Sequence, residues 1–271
     1  MRRLAPEQAR SLRHMLRIGV AGALGRMGRE IVALIGARED MVVAARIARP
    51  GAGESPSEAP PLSLAAEALA LCDVIVDVST GAAAAALARL AAERGGPALV
   101  IGATGFTAKD EAEIAAAARA IPILKAGNFS LGVALLAHLV ELTSARLGAA
   151  DWDIEIIEAH HRAKRDAPSG TALSLGAAAA RGRGEVADLA LPPRQGVSGP
   201  RPAGGIGYAV VRGGGLVGEH SVIFAAEDEI LTLSHSARDR RVFARGALAA
   251  AAFIAQAKPG LYGMDAVVSG A

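Results

Sequence analysis

The chain of 271 residues has one cysteine, Cys72. A lone thiol excludes a disulfide framework and a cysteine-based zinc site, and it fits a reducing cytoplasm. Aromatic residues make up only 3% of the chain, too few for the stacking platform of a single-stranded nucleic-acid binder. Charge of one sign is equally scarce. The formal net charge is +2, and no basic face clusters enough for a nucleic-acid footprint. No strongly apolar run reaches the ~18 residues of a membrane span without Gly, Pro or a charge, Ala-rich stretches aside. These absences point to a cytoplasmic protein with neither nucleic acid nor membrane as partner. What is abundant is small: 32 glycines and alanine runs such as 82–86 and 115–118 within a chain that is 52% hydrophobic. Such a composition suits close helix-on-sheet packing and tight backbone turns around a ligand.

The length favours two modest domains. Leu16 to Ala21 is an apolar strand running into Gly22-Ala23-Leu24-Gly25-Arg26-Met27-Gly28. Ile31, Val32, Leu34 and Ile35 then give the 3.6-residue period of a helix over 29–37. Continuous Val/Ile/Leu strands are expected at 41–47, 73–78, 98–101 and 122–125, with helices over 64–70, 82–94 and 110–120. Four prolines and two glycines make 49–61 a loop. This alternation marks an α/β fold with a doubly wound parallel sheet. After Asn128 the character changes. A helix (132–147), a strand (151–158), a helix (169–181) and a Gly/Pro/Arg-rich loop (182–205) follow. Three short strands at 206–211, 218–225 and 230–235 come next, and their turn spacing suggests antiparallel pairing. A last helix over 240–257 returns to the first domain. The expected domains are residues 15–127 with 239–271 for a dinucleotide, and 128–238 as an inserted α+β substrate-binding and oligomerisation domain. Residues 1–14, with Arg2, Arg3, Arg10 and Arg13 against Glu7, read as an extension expected to be disordered.

The glycine turn between strand and helix lets backbone N–H groups approach a phosphate at the helix N-terminus. Its spacing is G-x-x-G-x-x-G, with Leu24 where a dinucleotide fingerprint would carry its central glycine. The second strand ends Arg46-Ile47-Ala48-Arg49, without the acid that reads a ribose hydroxyl, and two arginines favour a 2′-phosphate. The next strands end in Asp77-Val78-Ser79-Thr80-Gly81, Gly102-Ala103-Thr104-Gly105-Phe106 and Ala126-Gly127-Asn128-Phe129-Ser130, small and amide residues suited to a nicotinamide. In the second domain His160-His161-Arg162-Ala163-Lys164-Arg165-Asp166 groups five side chains that can be cationic, which repel unless an anion sits among them. Ser169-Gly170-Thr171 opens a helix whose first amides are a natural carboxylate cradle, with Ser169 also a plain N-cap. Two adjacent histidines on opposite faces of an extended backbone let one reach a reacting atom and the other a carboxylate. No metal site is expected, since adjacent histidines alone lack ligand spacing. His220 and His235 read as packed or surface residues, and the spacing of Arg238, Arg240 and Arg241 does not say which contacts an anion. The residues alone leave open another two-domain NADP dehydrogenase acting on an amino or oxo acid, and a non-catalytic nucleotide sensor on the same fold.

The glycine turn, the 102–106 and 126–130 segments, Val217-Gly218-Glu219-His220 and above all the run from Glu155 to Ala172 resemble the dihydrodipicolinate (4-hydroxy-tetrahydrodipicolinate) reductase family, from about Leu16 to Met264. The resemblance implies a Rossmann-type cofactor domain with a substrate domain, a homotetramer, and reduction of a cyclic dicarboxylic imine by NADPH or NADH in the diaminopimelate route to lysine. It implies His160 as proton donor/acceptor and Lys164 as proton donor. It implies His161, Ser169, Gly170 and Thr171 on the substrate carboxylates, with Arg240 on the substrate side. Gly22, Ala23, Leu24, Gly25, Arg26, Met27, Gly102, Ala103, Thr104, Ala126, Gly127, Asn128 and Phe129 would contact the cofactor, and Arg49 its 2′-phosphate. Ala48 stands where relatives often carry an acid, Ala103 where Thr is common, and Val78-Ser79-Thr80-Gly81 where Phe-Thr-x-Pro is frequent. The first of these departures makes NADPH the preferred cofactor.

Overall fold

The computed structural model describes residues 15–49, 60, 62–63, 65–185 and 189–269. The 1–14 extension and most of the 49–61 loop lie outside the described residues. The chain divides into two compact units, one running to Phe129 and resuming at Phe243, the other Ser130–Val242.

Unit 1 is a parallel sheet of β1 (Leu16–Ala21), β2 (Met41–Ile47), β3 (Leu62–Ser63), β4 (Val74–Asp77), β5 (Ala98–Ile101), β6 (Pro122–Lys125) and β11 (Gly260–Tyr262). Their spatial order is β11-β6-β5-β4-β1-β2-β3, the doubly wound Rossmann order with one strand added at the edge. Every residue of β4 and β5 is buried, which is why these strands read as apolar runs, broken only by Asp77 at the end of β4. Along the strands Ala21, Ala45, Ile47, Ile75, Leu99, Ile101 and Ile123 share one core cluster. The same cluster takes Ala84, Leu87, Ala88 and Ala91 of α3 (Gly81–Glu93) and Ile114 and Ala117 of α4 (Ala108–Ala117). Side-chain alternation sends Ile18, Val20, Val76 and Val100 to the opposite face. Helix α1 (Arg26–Gly36) starts three residues before the expected 29 because Gly25, in extended backbone, already serves as its N-cap. A single turn, α2 (Ala65–Ala68), precedes β4. The chain closes with α7 (Arg241–Ile254) and α8 (Met264–Ser269) flanking β11. The short pieces β3, β11 and α8 carry no periodic signal and went unanticipated.

Unit 2 pairs α5 (Leu131–Ser144) and α6 (Gly170–Gly182) with a four-stranded sheet, order β10-β9-β7-β8. Its strands are β7 (Asp153–His160), β8 (Ile206–Arg212), β9 (Gly218–Ala225) and β10 (Ile230–Ala237). Ile154, Ile156, Ile206, Val222 and Phe224 meet Leu136, Val140, Leu175, Ala178 and Ala179 of the helices in its core. The expectation that the three late strands pair antiparallel among themselves is corrected. Strands β9 and β10 do so, but β8 lies parallel to β7, with Ile154 opposite Ile206 and His160 opposite Arg212. The connection from β7 to β8 runs over 161–205 and carries α6, the long crossover that parallel neighbours need.

Candidate active site

In unit 1 the strand order reverses between β1 and β4, and open α/β sheets bind ligands beyond the carboxyl ends at such a point. Gly22 follows β1 at φ +79°, and a Cβ there would lie 2.9 Å from the Val78 carbonyl oxygen. A Cβ on Gly28 would run into the Gly22 carbonyl. The Gly22 N–H donates to Ile47 O at 3.0 Å and the Gly25 N–H to Gly22 O at 2.9 Å. Ala23 is buried, Leu24 and Met27 half-buried, Gly25 and Arg26 exposed. No side chain caps α1, so its first amides keep their donors for an anion, and the turn kept tight by Gly22 and Gly28 fits a nucleotide phosphate. Beyond β5, Gly102 leaves no room for a Cβ against the Phe129 ring, Ala103 is buried and Thr104 exposed. Beyond β6, Ala126 and Asn128 are half-buried, Gly127 is exposed and Phe129 is buried. Arg46 is 3% exposed and donates through Nη1 to the Pro60 carbonyl at 3.4 Å, which makes Arg49 the exposed arginine at the end of β2. Asp77, buried at the end of β4, accepts from the Ser79 amide at 2.8 Å and its hydroxyl at 2.5 Å. Burial pushes that carboxyl up against both bonds.

In unit 2 the alternation of β7 places Glu158 and His160 on the same face as Ile154 and Ile156, inside the molecule. Glu158 is 1% exposed and sits among four donors. Its Oε2 takes His160 Nδ1 at 2.6 Å and Arg212 Nη1 at 2.7 Å; its Oε1 takes Arg212 Nη2 at 2.7 Å and the Ser169 amide at 2.9 Å. Burial works to raise its carboxyl, but the bonds from Arg212, His160 and Ser169 outweigh it and hold it down to about 2. The hydroxyl of Ser169 accepts from the Ala172 amide at 3.1 Å, capping α6, and meets His220 Nε2 at 3.1 Å. Burial, with the neighbouring His160, pushes His220 down to about 4, so it is neutral near pH 7. The His160 and His220 rings stand edge to face at 5.1 Å.

Lys164 bonds Asp166 at 2.9 Å, and Arg240 Nη2 lies 3.3 Å from His161 Nε2. The expected cationic cluster is thus broken up by two acids, Glu158 and Asp166, while Arg162 and Arg165 are simply exposed. Ser169 is enclosed, its amide on Glu158 and its hydroxyl on Ala172 and His220. Gly170 is exposed beside it and Thr171 half-buried, at the open end of α6. His220 is packed, as expected; His235 is half-buried with Nε2 3.3 Å from the Ser130 hydroxyl. Sequence reasoning missed Glu158 and Arg212. The signal for the first was available: a carboxylate two residues before a histidine shares its strand face. Arg212 lies 54 residues from Glu158, and nothing local announces that pairing.

Known proteins resemble both units. Residues 16–129 match the family profile "Dihydrodipicolinate reductase, N-terminus" and residues 132–268 its C-terminal counterpart. The 4-hydroxy-tetrahydrodipicolinate reductase of Caulobacter vibrioides is 54% identical over 255 residues, covering 93% of this chain and 97% of that one. Its namesake from Rhizobium rhizogenes is 49% identical over 265 residues, covering 92% and 95%. A solved dipicolinate-bound dihydrodipicolinate reductase from Paenisporosarcina sp. TG-14 superposes with a TM-score of 0.76 at 29% identity, over 93% of this chain and 98% of that one.

Proposed function

The chain belongs to the dihydrodipicolinate reductase family, and from that premise we propose that it reduces 4-hydroxy-tetrahydrodipicolinate to tetrahydrodipicolinate, with loss of water, in the diaminopimelate route to lysine. When bound, a nicotinamide cofactor supplies the hydride. The amides of Gly22 to Met27 hold its phosphates, and the 102–104 and 126–129 segments line the nicotinamide side. Ala48 offers no acceptor to a free 2′-hydroxyl while the exposed Arg49 can pair a 2′-phosphate, so NADPH is preferred over NADH.

The observation that carries this reading is the Glu158–His160–Ser169 cluster at the mouth of α6. His160 exchanges the proton, Lys164 donates one to the developing amine, and the amides of Gly170 and Thr171 receive a substrate carboxylate. His161 and Arg240, already adjacent, hold carboxylate charge on the same side. Ser169 fixes this cradle from within. The test is oxidation of NADPH on adding freshly made 4-hydroxy-tetrahydrodipicolinate, with pyridine-2,6-dicarboxylate competing. Absence of turnover with either cofactor overturns the reading.

The same reading includes a cytoplasmic homotetramer. The outer face of the unit 2 sheet leaves Ile157, Val211 and Ile230 at 37%, 48% and 69% exposure, apolar area that suits contact with further copies of the chain. The buried, unpaired Cys72 suits a reducing compartment. Light scattering should give the mass of four chains; the mass of one removes the assembly. Among the described residues no helix is long and apolar enough to cross a membrane.

A further inference from the structure

The four groups around the Glu158 carboxylate are all donors: His160 Nδ1, two nitrogens of Arg212, and the Ser169 amide. Each oxygen faces two of them, so only an ionised carboxylate satisfies both ends at once. A 1% exposed anion in that setting forces the proton of a neutral His160 onto Nδ1, where it is donated. The other nitrogen, Nε2, then carries the lone pair. It lies beside Gly218, where a Cβ would approach it to 3.1 Å, so the glycine keeps a side chain from crowding that atom. The other groups near the ring do not compete for Nδ1. His220 stands edge-on at 5.1 Å and is engaged with Ser169. Lys164 is tied to Asp166, whose backbone carbonyl in turn takes Arg212 at 2.7 Å.

We propose that Glu158, held by Arg212, is a positioning residue that locks His160 as the Nδ1–H tautomer, so that Nε2 is the atom that exchanges the proton. This deepens the reductase reading and rests on it for the proton's destination, though the tautomer itself does not. The carboxylate joins three pieces of chain, since Glu158 is in β7, Arg212 ends β8 and Ser169 caps α6. It therefore sets the ring and the carboxylate cradle in register with one group.

The decisive measurement is the ¹⁵N chemical-shift pattern of His160 in the full-length protein without substrate, read alongside steady-state kinetics. The parent should show neutral His160 protonated at Nδ1. In Glu158→Gln one end of the amide must present NH₂ to two donors, so the Nδ1–H signature weakens. There kcat should fall at least about tenfold, by a larger factor than KM rises, and the pH profile of kcat should move. Arg212→Lys keeps a charge but not the fork, and should lower kcat less than Glu158→Gln does. A parent protein with His160 protonated at Nε2 overturns the proposal even if the variants do not fold. Parental kcat and an unmoved pH profile in Glu158→Gln overturn it as well. A protein inactive toward the dicarboxylate but with Nδ1–H His160 supports the positioning and overturns only the reductase reading.

Discussion

His160 and Lys164 are the two side chains on which the proposed chemistry turns, and they are held differently. His160 is fixed by a buried carboxylate, whereas Lys164 is tied to the exposed Asp166. Both His160→Gln and Lys164→Ala should lower turnover by ~10²–10⁴-fold while leaving the circular dichroism of the fold unchanged. A variant that keeps parental turnover removes the role from that residue. Cofactor choice is a second matter of single residues. A charge-assisted bond is worth roughly 1.5–3 kcal/mol and ~1.4 kcal/mol is tenfold in affinity, so one well-placed arginine should give NADPH an advantage of about tenfold or more. Arg49→Ala should erase most of it and Ala48→Glu should raise NADH use. Equal kcat/KM for the two cofactors in the parent would sink the arginine argument. With Arg46 buried against Pro60, Arg49 bears this prediction by itself.

At the scale of an element, α6 shows how one cap does two jobs. Ser169→Ala keeps the amide that bonds Glu158 but loses the hydroxyl that caps α6 and meets His220. Loss of such a cap costs about 1 kcal/mol, seen as a lower Tm, and KM for the dicarboxylate should rise more than kcat falls. An unchanged Tm would mean the cap is idle. Elements were also what the sequence made most readable. The apolar runs Val74 to Val76 in β4 and Ala98 to Ile101 in β5, with the period of α1, announced the parallel sheet because burial on both faces leaves no polar alternation to disguise it. The pairing of β8 with β7 was not readable, since register between strands 52 residues apart, Ile154 with Ile206, depends on partners that no local window contains. The same reason hid Arg212, whereas the proposed site residues His160, Gly170 and Thr171 and the glycine turn each sit within a short local stretch of sequence.

Across the whole molecule, acid should act in two stages. His220 has an ordinary value of 6.5 and is pushed down to about 4, so between these pH values the unfolded chain binds a proton that the folded protein refuses. Stability therefore falls as pH falls through that window. Glu158, ordinarily near 4.5 and held at about 2, extends the loss to lower pH, because its ionised bonds persist only in the folded protein. Urea midpoints measured from pH 7 to pH 3 should decline throughout, and His220→Gln should flatten the stretch above pH 4. A midpoint constant between pH 6.5 and 4 in the parent removes the His220 argument. One further consequence follows from unit 1 being split around unit 2. On the ribosome, the β6 edge has no partner until Gly260–Tyr262 emerges, and the buried face of α7 is equally late. Unit 2 is contiguous and can finish first, so the nascent nucleotide-binding sheet waits, incomplete, for a piece of chain that is made only after all of unit 2.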